Sequence, residues 1–358
     1  MAHNTLTVDE QSQHWLSHPV QKERARADQT VYGPGETFGV QRAWSDSVYP
    51  GVALDRALCL TGDYLADLFG AFSRAPHKYD LAWHIRGAPT SSLSFAVSPF
   101  PAPVPNGYNA FAEVRQAQPT AETWSIAFER GERSARLIAA AGATTQPILG
   151  LGGVYADSLP NGKGVNSTAP TLIERRDEIA STVFGNVLDF SGGKSAYVKS
   201  VTQQGGFDDG FGLLRIEVTE GADLCFASYR PGPHSASGLE TDALQALVRT
   251  TGGTPYSLYL GGGKFLRVGD AAIRRSEEGL ASIERTSNGA YILANPSPGP
   301  ATVTVNLKAL HGLEAFDLDD KGKPGRKAAV GTTDAGETSV RLEAGARVGF
   351  FPSGQSKL

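Results

Sequence analysis

Seven histidines, His3, His14, His18, His77, His84, His234 and His311, are the side chains of this chain best suited to moving a proton near neutral pH or holding a metal. No two have the spacing of a helical zinc motif. The two cysteines, Cys59 and Cys225, supply no thiolate cluster, so spacing alone defines no metal site. Both cysteines lie in apolar, strand-like runs, Ala57-Leu58-Cys59-Leu60 and Leu224-Cys225-Phe226, and are expected as buried thiols rather than a disulfide. The densest chemical group is His77, Lys78, Tyr79 and Asp80, followed by His84. In a strand, His77 and Tyr79 share one face and His84 lies opposite. Two readings stand side by side: His77, Tyr79 and His84 line a substrate-binding face, or they are packed side chains with satisfied polar tips. Arg175-Arg176 could grip a carboxylate in a bidentate fork, but the adjacent Glu174, Asp177 and Glu178 favour an internal ion pair. Lys22, Arg24 and Arg26 alternate with Glu23 and Asp28, the pattern of a solvated strand face.

The elements that must position these groups read as strands. Val52–Leu60 alternates roughly between apolar and polar residues; Tyr64–Phe72 follows a Gly62-Asp63 turn; Tyr79–Ile85, Trp124–Phe128 and Ser181–Leu188 have the same character. Short strands with Gly, Pro, Asn and Asp between them predict an all-β chain, a large antiparallel β-sandwich followed by a smaller β-sheet layer. Ala88 to Asn109, with four prolines between Pro99 and Pro105, is expected to be a long loop on a cleft rim, and Gln203–Gly210 a turn-rich joint. Leu239, Ala243, Leu244 and Leu247 recur at helical spacing and predict a helix over Leu239–Val248. Gly261-Gly262-Gly263 sits between strands, with no helix after it to receive phosphate. It reads as a turn and excludes a nucleotide site. A soft boundary near residue 245 divides a 1–245 sandwich domain from a smaller 246–358 β domain.

With 358 residues, the chain has room for two cores. Its 33 basic and 37 acidic residues are mixed, a net charge of −4, so it lacks the basic stripe that nucleic acid requires. A polyanionic ligand would have to be met by local basic groups. The first residues have neither the basic nor the apolar region of a signal peptide, no run is long enough to span a bilayer, and the terminal Ser356-Lys357-Leu358 matches a peroxisomal address only by its three letters.

Four stretches carry a resemblance. They are Ala2-His3-Asn4-Thr5-Leu6 with Val8-Asp9 and Gln13; Tyr49-Pro50-Gly51-Val52 with Leu54 and Arg56; Asp67-Leu68-Phe69 leading to His77-Lys78-Tyr79-Asp80 and His84; and Pro170-Thr171-Leu172-Ile173-Glu174-Arg175-Arg176 with Phe184 and Val187-Leu188-Asp189. In order and spacing the set is similar to polysaccharide lyases of the heparinase II/III type. The resemblance implies an (α/α) toroid, then an antiparallel β-sandwich, then a small β layer, with β-elimination on uronic-acid polysaccharides of the alginate or glycosaminoglycan kind. In such enzymes a group neutralises the carboxylate, a Tyr or His base takes the C5 proton and an acid protonates the leaving oxygen.

The same resemblance places most of those groups before the Ala-His-Asn-Thr motif, so this chain is expected to lack the toroid, to carry no lyase catalytic residue and to be inactive alone. His3 matches the position of a structural metal ligand, zinc in several members. The other ligands, a His and an Asp, precede the motif, and tight zinc binding by this chain alone is not expected. A periplasmic or secreted location, an acidic polysaccharide or oligosaccharide ligand and a toroid domain or subunit as partner follow from the resemblance, with no nucleic acid and no membrane. A truncated gene or miscalled start would also produce such a beginning. The rival readings are a separately encoded subunit of a split lyase and a non-catalytic carbohydrate-binding sandwich. The last needs exposed aromatics, for which Trp15, Trp44, Trp83 and Trp124 are the tryptophan candidates.

Overall fold

The computed structural model describes residues 4–11, 13, 27–104, 107–109, 111–155, 166–192 and 196–353. Its elements are almost entirely strands. The one helical piece among the described residues is the 3-10 turn Lys308–Leu310, and no helix is long and apolar enough to cross a membrane. The chain is an all-β protein with two large antiparallel sheets, as its alternating patterns require.

The first sheet has twelve strands. Its main path runs Asp28–Pro34, Phe38–Tyr49, Val52–Thr61, Tyr64–His84, Asn166–Asp189, Arg133–Ala139, Trp124–Arg130 and Ala88–Ser91. The short Leu6–Val8 strand pairs with Tyr79–Leu81, and Gln146–Tyr155 pairs with the first half of Asn166–Asp189. The second sheet has fifteen strands, beginning Val198–Gly206, Phe211–Val218, Ala222–Ser228, Gln245–Thr251, Thr254–Val268 and Ala271–Arg285.

The chain falls into two compact units, each assembled from three segments. Unit 1 is Met1–Asp28, Trp44–Arg56 and Phe69–Tyr197; unit 2 is Gln29–Ala43, Ala57–Leu68 and Val198–Leu358. The core of unit 1 gathers Leu6, Val8, Phe69, Leu81, Trp83, Trp124, Phe128, Leu172 and Phe184. A smaller cluster joins Phe100 and Tyr108 to Val114, Ile148 and Ile173, so the proline-rich connection carries two short strands, Ala88–Ser91 and Ala96–Val97, and tucks two aromatics inward after them. The core of unit 2 is built on Leu213, Leu224, Phe226, Leu258, Leu260, Ile273, Ile283 and Leu293. Cys59 and Cys225 are free and buried.

Three sequence expectations are corrected. The helix over 239–248 is two strands, Leu239–Thr241 and Gln245–Thr251. Leu239, Thr241, Ala243, Gln245 and Leu247 are all fully buried, a period of two that polar Thr241 and Gln245 conceal. Each polar tip reaches a backbone carbonyl, the Thr241 hydroxyl donating to Phe265 O at 2.7 Å and Gln245 Nε2 to Leu58 O at 2.9 Å. Residue 245, the expected boundary, opens a strand paired on both sides, with Ala222–Ser228 and with Thr254–Val268. The second correction is Gly261–Gly263, which is no turn. It is a bulge inside Thr254–Val268, where the register with Ala271–Arg285 shifts, and a Cβ on Gly263 would come within 2.8 Å of Ala243 Cα. Third, Tyr64–Phe72 and Tyr79–Ile85 are not separate strands; Tyr64–His84 runs unbroken for 21 residues and carries His77 in its middle.

Candidate functional site

The motif-bearing residues meet in unit 1 around a turn. Gln11 N–H donates to Val8 O at 2.9 Å, and the two residues between them, Asp9 and Glu10, have φ of 50° and 58°. Two left-handed residues in a two-residue turn give the type I′ geometry, normally filled by Asn and Gly. Here two acidic residues take it, and their side chains are held from outside. Asp9 Oδ1 accepts the Lys78 N–H at 2.9 Å, Asp9 N–H donates to Lys78 O at 2.8 Å, and Asp9 Oδ2 meets His77 Nδ1 at 2.7 Å. Burial works to raise the Asp9 pKa. The Lys78 N–H bond, with the bond and charge of His77, outweighs it, and the carboxyl lies below its usual range.

Glu10 Oε1 lies 3.1 Å from Lys78 Nζ and 2.8 Å from Arg175 Nη2. Arg175 in turn grips Asp80 with two parallel bonds, Nε to Oδ1 at 2.8 Å and Nη2 to Oδ2 at 2.7 Å. Tyr108 donates its hydroxyl to the same Asp80 oxygen, and Thr7 Oγ1 lies 2.9 Å from Tyr108 OH. Burial and the Asp80 charge push the Tyr108 phenol far up. The Arg175 guanidinium is held protonated against its burial by Asp80. A ladder of alternating charge thus runs from buried Asp80 through Arg175 and Glu10 to half-buried Lys78.

The partners of the arginine pair are therefore not the sequence neighbours expected for them. Arg176, on the opposite strand face, donates to Thr145 Oγ1 at 2.8 Å and Thr182 Oγ1 at 2.6 Å and lies 4.1 Å above the Phe184 ring. Burial lowers its pKa to about 10. Glu174 accepts from Trp83 Nε1 at 2.8 Å. From the second motif, Arg56 donates to Asn4 O at 2.7 Å and stacks over Phe69 at 4.9 Å, while Asn4 Oδ1 accepts the His84 N–H at 2.7 Å.

The three expected substrate contacts have different fates. His77 borders an open depression of about 440 Å³ with Asp9, Pro76, Lys78, Asp177 and Glu178. Tyr79 shares its face, ring centroids 5.9 Å apart, but is fully buried, its hydroxyl donating to Ala180 O at 2.9 Å. Burial and the Asp9 charge push Tyr79 up to about 12. His84 is seven residues further along the strand, roughly 23 Å at about 3.3 Å per residue. Its Nδ1 lies 2.9 Å from Thr171 Oγ1. His77 and Tyr79 are thus brought together and His84 is not.

One residue of this site had no signal in the motifs. Ser73 stands four positions before His77 on the same strand, and its Oγ lies 3.1 Å from His77 Nε2. Spacing of four on one strand face was visible in the sequence; the approach of Asp9 from a turn 68 residues away was not. His3, the expected metal ligand, lies outside the described residues, as do His14, His18, Trp15, Lys22, Arg24, Arg26 and the Ser356–Leu358 tail. Among the described residues no three side chains of His, Cys, Asp or Glu converge to hold a metal. Unit 2 has a larger cavity, about 520 Å³, lined in part by Leu224, Val268 and Leu307. Its rim charges pair among themselves, Arg215 with Glu217 at 2.7 Å and Lys308 with Asp270 at 3.9 Å.

No model of a known protein family matches the chain, and a search of curated proteins finds no match. Among solved structures, heparan sulfate lyase HepC from Pedobacter heparinus is similar at TM-score 0.43 and 14% identity, over 65% of this chain and 31% of that one. A heparinase III structure is similar at TM-score 0.40 and 12% identity, over 63% and 29%. The chain therefore spans under a third of the length of those enzymes.

Proposed function

We propose that this chain is the β-sandwich portion of a polysaccharide lyase of the heparinase II/III type, serving β-elimination on uronate-containing polysaccharides together with a toroid domain or subunit. One observation carries the reading. Residues from all four motif stretches interlock in unit 1: Asn4 with Arg56 and His84, Asp9 with His77 and Lys78, and Asp80 with Arg175. Chance matches scattered over a chain have no reason to meet. In this role the motif residues are fastenings that hold the Leu6–Val8 strand and its turn against Tyr64–His84.

The alternative of a tryptophan-stacking carbohydrate module has less support. Trp83 and Trp124 are buried, and Trp44 is half-buried against Phe72 at 6.4 Å. A periplasmic or secreted location goes with the proposal. Calorimetry with heparan sulfate, alginate and neutral glucan oligosaccharides tests it: binding of a uronate oligosaccharide and not of the glucan is expected, without growth of unsaturated-uronate absorbance. Equal indifference to all three ligands sinks the substrate class, and robust turnover by the chain alone sinks the assignment of the lyase machinery to another domain.

A further inference from the structure

The contacts of His77 have a second meaning that the lyase reading does not use. One ring nitrogen, Nδ1, lies 2.7 Å from Asp9 Oδ2; the other, Nε2, lies 3.1 Å from Ser73 Oγ. A carboxylate on one side of an imidazole and a hydroxyl on the other is the nucleophile, base and orienter arrangement of acyl transfer, which is recognised by geometry and not by fold or chain order. We propose that Ser73, His77 and Asp9 form a hydrolytic triad that cleaves short-chain carboxylic esters of polar, uncharged alcohols, such as an O-acyl group on a sugar.

Four features of the site fit the roles. Asp9 is fixed through its other oxygen by the Lys78 N–H at 2.9 Å, so it cannot swing away, and its bond to Nδ1 sets the tautomer that leaves Nε2 free to accept. The Ser73 oxygen accepts the Ala75 N–H at 3.2 Å, which leaves its own hydrogen for Nε2. The Ser73 backbone is pinned in turn, its N–H donating to Ser181 Oγ at 3.2 Å and its O accepting from the same hydroxyl at 3.2 Å. All three residues retain solvent access: Asp9 is half exposed, and His77 and Ser73 are partly so.

The surroundings set the substrate. Among the described residues that line the depression Pro76 alone is apolar, so they offer little surface to a long acyl chain. Asp177 and Glu178 would repel an anionic alcohol, and Lys78, its Nζ 3.1 Å from Glu10 Oε1, is the cation among the lining residues. Glu178 keeps a left-handed φ of 53°, as do Asp9 and Glu10, so three of the five such non-glycine residues among those described surround this one place.

The step balances without a further reactant. The Ser73 oxygen attacks the ester carbonyl carbon as its proton passes to His77 Nε2. The bond to the alcohol oxygen then breaks, and that oxygen leaves with the proton. Water attacks the acyl-serine, giving a proton to Nε2, and Ser73 departs by taking it back. Ester and water become acid and alcohol.

The test uses the full chain. Incubation with a fluorophosphonate, followed by peptide mass analysis, is expected to find the adduct on Ser73. p-Nitrophenyl acetate should be hydrolysed above the buffer rate and at least about tenfold faster than the octanoate. Ser73→Ala should abolish both adduct and hydrolysis, and Asp9→Asn should lower hydrolysis by about a hundredfold or more. Circular dichroism checks that the variants fold, and labelling of the unaltered chain decides the matter if they do not. Absence of an adduct on Ser73, or hydrolysis that survives Ser73→Ala, overturns the proposal.

Discussion

Each unit buries an arginine–carboxylate pair with a tyrosine hydroxyl on the carboxylate, yet the two pairs end differently. In unit 2, Asp223 takes Arg249 Nε at 3.0 Å and Tyr64 OH at 2.5 Å, fully enclosed beside Cys225. In unit 1, Asp80 takes Arg175 and Tyr108 in the same way, but Arg175 holds a second carboxylate, Glu10, which leads through Lys78 to the open depression. Burying a charge pair repays little by itself, because desolvation consumes most of the Coulomb gain. The unit 2 pair ends inside the unit. The unit 1 pair is the inner end of a ladder whose outer end presents acid, base and hydroxyl groups to solvent.

The largest effects should come from cutting the two pairs. Arg249→Met leaves one enclosed carboxylate unpaired and should cost about 3–5 kcal/mol. Arg175→Met strands Asp80 and frees Glu10 as well, and should cost at least as much. Urea unfolding of the two variants measures both. A clearly smaller loss for Arg175→Met would mean that Glu10 and Lys78 are not energetically joined to the buried pair.

The units should also answer pH with opposite signs. The Asp9 pKa is lowered in the folded state, so its stabilisation is present above the ordinary carboxylate range and is lost as pH falls through the folded value. Glu284 in unit 2 is raised by burial, despite bonds from Thr37 N at 2.9 Å and Thr37 Oγ1 at 3.1 Å. The folded state therefore holds its proton more tightly than the unfolded chain, and stability falls as pH rises from the unfolded carboxylate value of 4.5 through the folded one. Compared with the parent chain across that range, Asp9→Asn should remove an acid-side loss of stability and Glu284→Gln an alkaline-side one. Unfolding midpoints measured at intervals between pH 3 and 8 show the two slopes; slopes of the same sign would erase the distinction.

What the sequence disclosed differs between the regions for a physical reason. Strands of unit 1 were legible where, as in Trp124–Arg130, alternate apolar residues are buried. Leu239–Leu247 misled because two of its buried positions are polar and donate to distant backbone carbonyls, which periodicity in apolar residues cannot register. The site was half legible. His77 and Tyr79 could be placed on one face from their spacing, but the partners of Arg175 were read as its neighbours. They lie 95 positions away in Asp80 and on the Glu10 turn. Long-range pairing leaves no local trace in spacing, so the sequence links those segments only through the resemblance of their motifs.

A smaller effect separates planar from point charge. Arg56 in unit 1 stacks over Phe69 and Trp83 at 4.9 and 5.9 Å and donates to Asn4 O. In unit 2, Arg267 is half exposed and pairs with Glu240. Arg56→Lys keeps the charge but loses the flat stacking surface and should cost about 1 kcal/mol. Arg267→Lys should cost less still, as solvent screens an exposed pair. Thermal midpoints of the two variants compare them, and equal shifts would deny the motif arginine any special part in fastening the N-terminal strand.

The smallest effect isolates what the Glu10 turn contributes. Glu10 and the exposed Glu113 share a left-handed backbone, φ 58° and 52°. Glycine relieves about 1–2 kcal/mol of that conformation and gives back about 0.5–1 kcal/mol as entropy of the unfolded chain. Glu113→Gly should therefore stabilise unit 1 by about 0.5–1 kcal/mol. Glu10→Gly gains the same backbone relief but takes the shared carboxylate from Lys78 and Arg175. It should come out destabilising by about 0.5–1 kcal/mol, because a half-buried bridge between two cations is worth more than an exposed pair. Paired urea titrations give the difference directly, with the backbone contribution cancelling. If both glycine variants are stabilised alike, the acidic type I′ turn owes its form to neither cation, and the ladder ends at Arg175.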